Sequence, residues 1–192
     1  MTKKTAITAA PIMPVIAERF STRSYDSDYE MTQHEWLAVL EAGRWAASAN
    51  NAQPWRFSIA KRGTDMHAAV AAATSGFNQA WSPKASAYIV VSVVKTNADG
   101  TPHKTAHFDG GLAVAQMMLQ AVDLGLSIHP MTGIDFPGVA AAVDLPEELE
   151  VLVLLAIGKP GAPELLEGAA YEREIAPRVR HDLDDIVLTG KP

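Results

Sequence analysis

Arg19, Ser21 and Arg23 put two guanidiniums and a hydroxyl within five positions. A guanidinium presents a planar fork of donors that matches phosphate oxygens, and serine adds a neutral donor, so the run suits an anion; a solvated helix end is the plainer alternative. A second set of cations, Arg173, Arg178 and Arg180, stands late in the chain. Between them, the stretch Ser48-Ala49-Asn50-Asn51-Ala52-Gln53-Pro54-Trp55 is rich in amides, which serve either ordinary turn chemistry or a planar heteroaromatic ring. His103, His107 and Asp109 have a spacing that could gather metal ligands on one helical face. Pro102 and the turn before it disfavour a regular helix there, and neither a third histidine nor an HExxH pattern completes the set. The other histidines are scattered, none beside a serine and an acid in a triad pattern, and no GxGxxG or P-loop sequence is present.

Composition narrows the chemistry further. The chain has 192 residues, 48% of them hydrophobic, enough for one substantial core, and a single domain over residues 1–192 is expected. A formal charge of −6 without a basic block argues against nucleic acid as a partner. With no cysteine there is no thiolate nucleophile, disulfide or cysteine-ligated metal, so redox chemistry would have to come from a cofactor, and a cytoplasmic location is expected. Lys3-Lys4 and the apolar residues after it imitate a secretory signal, but Pro11 and Pro14 interrupt the run. No segment approaches the ~20 apolar residues of a membrane helix.

These side chains must be held by regular elements. Pro14 to Phe20 reads as a short helix with proline in its first turn. Thr32-Gln33-His34-Glu35 is a capping box that opens a helix through Trp36, Leu37, Leu40 and Trp45, ending near Ser48. Trp55 to Ile59 alternates as a strand, Thr64 to Thr74 is helical, Phe77 to Trp81 is a loop, and Ala85 to Lys95 is a buried strand. Asp109 reads as the N-cap of a long helix stopped by Gly125, apolar on so many sides that it suits a central or interface position. Leu126 to His129 is a short strand, Pro130 to Asp135 a loop, Val139 to Val143 a small helix and Leu149 to Ile157 a last strand. From Ala162 onward little periodicity shows until Leu183 to Val187, so the tail is either disordered or wrapped on a neighbour.

In order and spacing, Arg19-x-Ser21-x-Arg23-x-Tyr25, the Ser48 to Trp55 stretch, Phe77-Asn78, the Asp109 helix with Gly125-Leu126, Pro130-Met131-Thr132-Gly133, Ile157-Gly158-Lys159-Pro160 and Arg178-x-Arg180 together resemble the flavin-dependent nitroreductase family. The resemblance implies an α+β, three-layer α/β/α fold with a central, mostly antiparallel sheet, in an intertwined homodimer with FMN at the subunit interface. Arg19, Phe20, Ser21 and Arg23 would hold the phosphate and ribityl end, with Arg180 and Arg178 joining them. Ser48, Asn50 and Asn51 would line the flavin from the partner chain. Asn78 would reach the pyrimidine edge, and Pro130, Met131, Thr132 and Gly133 would pass beneath its reactive nitrogen. Thr132 departs from the pattern, because many relatives carry an acidic residue there. The implied activity is ping-pong, two-electron reduction of a nitroaromatic, quinone or similar acceptor by NAD(P)H. Within the same resemblance lie flavin fragmentation and reductive dehalogenation; a flavin-storage protein is the non-enzymatic alternative, and a hydrolase using His103 and His107 the metal-dependent one.

Overall fold

The computed structural model describes residues 4–190, so Lys3 of the basic pair lies outside it. Its centre is a sheet of strands β1 (Trp55–Lys61), β2 (Ala87–Val94), β3 (Ser127–Met131) and β4 (Leu149–Gly158), in the order β1-β2-β4-β3. All three pairings are antiparallel, where the sequence reading expected mostly antiparallel. The two central strands are near-continuous apolar runs because both faces of the sheet are covered. Side chains alternate across a strand, so these runs feed two separate cores. Tyr88, Val90, Leu154 and Ala156 pack with Val70 and Val139 on one side. Ile89, Val91, Leu155 and Ile157 pack with Val39, Met117 and Ala121 on the other.

Helices complete three layers. Val39 belongs to α2 (Gln33–Arg44), and Met117 and Ala121 belong to α5 (Ala106–Asp123). The opposite face carries α3 (Asp65–Ala72), α6 (Phe136–Ala142) and α7 (Gly168–Ile175). Short helices α1 (Pro14–Glu18), α4 (Gly76–Gln79) and α8 (Leu183–Ile186) lie outside these layers. The expected α+β, three-layer arrangement is therefore present. Among the described residues no helix is long and apolar enough to cross a membrane.

The capping box forms as expected: the Thr32 side chain accepts from Glu35 N, and the Glu35 carboxylate accepts from Thr32 N at 2.7 Å. Its helix stops at Arg44, earlier than Ser48, and Ala49–Asn51 form a single 3-10 turn. Asn50, Asn51 and Gln53 take φ of 51°, 55° and 48°, a left-handed backbone that asparagine tolerates better than most residues. Gly125, with φ of 72°, follows the end of α5 as expected.

Four expectations need correction. Asp109 is not the N-cap of α5 but lies inside its first turn, where its buried carboxylate accepts from Thr105 Oγ1 at 3.0 Å. Pro130 and Met131 belong to β3 instead of a loop; as an edge strand, β3 can spare the N–H that Pro130 lacks. Residues 76–79 form a helical turn within the expected loop. The late segment contains α7, whose two buried positions are Ala170 and Glu174, so hydrophobic periodicity gave no sign of it.

Candidate functional site

The late arginines come to the early ones. Lys4, Arg19, Ser21, Arg173, Arg178 and Arg180 line a cavity of about 210 Å³, with Phe20 as its apolar wall. Arg19 belongs to the C-terminal end of α1, Arg173 to the last turn of α7, and Arg178 and Arg180 to the extended chain that follows. Burial, then the neighbouring guanidiniums of Arg178 and Arg180, pulls the Arg19 pKa below its ordinary value. Arg23 is lowered by burial and by Arg173, against an opposing pull from Glu174. These groups stay charged, so the cluster is one of crowded cations that a multivalent anion would relieve. The Nε of Arg23 is buried and has no hydrogen-bond partner.

From the cavity, Arg173 leads on to an aromatic ring. The Arg173 guanidinium lies 4.3 Å from the centre of the Phe77 ring, and that of Arg23 lies 5.8 Å from it. Beside Phe77, Asn78 Nδ2 donates to Gly133 O at 3.1 Å, which joins α4 to the loop after β3. Thr132 and Gly133 are exposed there and Pro130 is half-buried. Met131 is drawn out of the site, because β3 turns its side chain into the core with Val139 and Leu154.

Ser48, Asn50 and Asn51 stand elsewhere. Ser48 Oγ accepts from Gln53 N at 3.0 Å, closing the turn, while Asn50 and Asn51 are exposed. Ala49 N donates to the Asp109 carboxylate at 3.3 Å, which pins this loop to the N-terminal end of α5. The cationic cavity adjoins the other end: a larger apolar groove of about 610 Å³ shares Lys4, Phe20 and Arg178 with it and runs to Val122, Gly125 and Leu126. At ~1.5 Å per residue the helix between them is about 27 Å long, so the amide loop and the arginines of one chain do not meet. In that groove the Lys4 ammonium is spent on the Glu174 and Ala176 carbonyls and Ser127 Oγ on Phe20 O, which leaves an apolar lining with little chemistry of its own.

The histidines considered for a metal do not converge. His107 Nε2 bonds Glu150 Oε1 at 2.8 Å, His103 faces Thr105, and Asp109 holds Ala49. Four residues that sequence reasoning left without a role are part of the site's frame. Arg173 lines the cavity, Glu174 accepts from Thr22 Oγ1 and Arg23 N, and Ser127 and His129 donate to carbonyls of the Phe20–Thr22 run. The alternation of Ser127 and His129 on one strand was the available signal; Arg173 was legible only as one of the late cations, and for Glu174 there was no signal without α7.

Comparison with known proteins fits this geometry. The family model described as "Nitroreductase family" matches residues 16–87 and 64–159. The Bacillus subtilis (strain 168) protein YdgI, named provisionally as an NAD(P)H nitroreductase, is 31% identical over 186 residues, covering 77% of this chain and 87% of its own. Protein DrgA of Synechocystis is 27% identical over 173 residues, covering 75% and 81%. A solved structure described as an oxidoreductase containing FMN superposes with a TM-score of 0.89 at 30% identity, over 96% of this chain and 94% of its own. With the strand order, the flanking helices and the early and late arginines in one place, the chain belongs to the nitroreductase family.

Proposed function

We propose that this protein is an FMN-dependent NAD(P)H oxidoreductase that reduces a nitroaromatic, quinone or similar small acceptor by two electrons in a ping-pong cycle. The observation that carries the reading is the convergence of Lys4, Arg19, Arg173, Arg178 and Arg180 on one cavity, from which Arg173 reaches over Phe77, the neighbour of Asn78. The donor set fits the cofactor: a phosphomonoester carries nearly two negative charges, and each charge-assisted hydrogen bond to it contributes roughly 1.5–3 kcal/mol before desolvation. Arg23 does not line this cavity, so its buried, partnerless Nε adds no donor to the phosphate.

Arg19, Ser21 and Arg180 would hold the phosphate, with Phe20 as the wall behind them. The Nη1 of Arg178 is already committed to the carbonyls of Lys4 (2.5 Å) and Ala17 (2.6 Å), so it would act mainly by keeping the N-terminal segment against the cavity and by its charge. Arg23 and Arg173 would supply positive charge beside Phe77, toward the pyrimidine edge that Asn78 would reach. Thr132 and Gly133 would offer backbone on the far side, without the acidic side chain that many relatives carry. FMN held there would supply the redox chemistry, hydride acceptance from a nicotinamide and two-electron donation to the acceptor.

The functional unit is a homodimer in one domain spanning residues 1–192. Two features support it. The amide loop of Ser48, Asn50 and Asn51 is remote from the arginines of its own chain, so a role at their ligand would be filled from a second copy. Along the outer face of α5, Phe108, Gly111 and Ala115 are exposed and Leu119 and Val122 half-exposed, an apolar stripe at helical spacing. The absence of cysteine suits a cytoplasmic location.

The purified protein is expected to be yellow, to release FMN on denaturation, to bleach anaerobically with NADH or NADPH, and to regain colour with a quinone. Colourless protein that ignores added FMN would refute the cofactor; yellow protein that neither nicotinamide bleaches would refute the enzyme and leave a flavin binder.

A further inference from the structure

The loop that presents Arg19, Ser21 and Arg23 is itself gripped from two sides. Ser127 and His129 are two apart on edge strand β3, so their side chains stand on one face of it. They meet two carbonyls that are likewise two apart on the loop: Ser127 Oγ donates to Phe20 O at 2.9 Å, and His129 Nδ1 donates to Thr22 O at 2.8 Å. From α7, the buried carboxylate of Glu174 accepts from Thr22 Oγ1 at 2.6 Å and from Arg23 N at 2.7 Å. The next residue is anchored too, since Gly161 N donates to Ser24 O and Ser24 Oγ donates to Ala162 O. Three separate elements thus fix alternate peptide groups of one short run.

We infer that Ser127, His129 and Glu174 are positioning residues that lock the segment 20–23 in its anion-binding conformation, and so set the preference for a phosphorylated flavin over the unphosphorylated one. The inference rests on the FMN reading above. Its physical reason is the partial negative charge of a carbonyl oxygen. An untethered loop of this kind can turn its carbonyls into the cavity, where they oppose a phosphate; two strand side chains hold the Phe20 and Thr22 oxygens away from it. Glu174 works from below. It takes the Thr22 hydroxyl and the Arg23 amide, leaving Ser21 as the loop hydroxyl at the cavity, and its charge offsets the repulsion among Lys4, Arg23 and their neighbours. His129 is braced in turn by the Trp81 ring, whose centre is 4.5 Å from its own.

The test is titration of flavin-free protein with FMN and, separately, with riboflavin, which lacks the phosphate. Ser127→Ala and His129→Phe, the latter keeping a ring against Trp81, are each expected to weaken FMN about tenfold, the worth of one well-made hydrogen bond, while riboflavin affinity stays within about twofold. His129→Asn, which restores an N–H donor, is expected to recover most of the loss. Amide exchange in residues 20–24 of the flavin-free variants is expected to accelerate. Should Glu174→Gln fail to fold, Ser127→Ala decides the matter, because its neighbours keep all their other bonds. An unchanged FMN-to-riboflavin ratio with unchanged exchange, in variants that melt like the wild type, would overturn the inference. Wild-type protein with no preference for FMN over riboflavin would instead refute the phosphate site itself, and the purpose of the grip with it.

Discussion

His129 gives the sharpest physical prediction. Burial first, then the charges of Arg23 and Arg19, hold its pKa down from 6.5 to about 4, against the opposing pull of its bond to Thr22. The folded protein therefore keeps this imidazole neutral at pH values where the unfolded chain protonates it. Between pH 6.5 and about 4 the unfolded state binds more protons, so stability falls as pH falls through that window; above it the whole contribution is present. At 1.36 kcal/mol per pH unit the window corresponds to about 3 kcal/mol, and to about 2–3 kcal/mol once the ring's partial contact with solvent is allowed for. The assay is urea unfolding of flavin-free wild type and His129→Gln at intervals from pH 7.5 to 4. Carboxylates elsewhere titrate alike in both proteins, so the difference between the two curves isolates the histidine. The variant is expected to be the less stable at pH 7 and to lose its disadvantage progressively toward pH 4. Parallel curves across the whole range would refute the reasoning, because they would mean His129 titrates equally in both states.

Other outcomes follow from packing and from the proposed partner. A methyl group at Gly110 would lie 2.6 Å from Leu152 Cδ2 and 3.0 Å from Val93 Cγ1, so Gly110→Ala is expected to lower stability by about 1–3 kcal/mol despite alanine's better helix propensity, measured by denaturant midpoint. Unchanged stability would show that α5 can back away from the sheet. Ala115→Glu puts a charge on the exposed apolar stripe of α5 and is expected to yield monomers by sedimentation and, because the amide loop then cannot reach its partner, weaker FMN binding. Monomers with wild-type FMN affinity would show that one chain suffices. Arg19→Ala is expected to weaken FMN by about 10- to 100-fold at low salt and by less at high salt; a loss independent of salt would remove Arg19 from the phosphate's field.

The sequence by itself determined what is local. The capping box before α2, the two-faced apolar runs of β2 and β4, and the glycine that ends α5 follow from nearest-neighbour physics, which acts the same in any fold. The order of the arginine, amide and Phe77-Asn78 motifs was also legible, and with it the family. Only the tertiary structure decided which of these residues share a site. It brought Arg19 to Arg178 and Arg180 across most of the chain, carried Ser48, Asn50 and Asn51 to the opposite end of α5, and buried Met131. It also recruited Arg173, Glu174, Ser127 and His129, whose roles lie in partners far away in sequence. The reason is that α7 is short and one of its two buried positions is a glutamate, stabilised there by the Thr22 hydroxyl and the Arg23 amide. Hydrophobic periodicity cannot announce a helix whose inward face is held by hydrogen bonds to a loop that only the folded chain brings within reach.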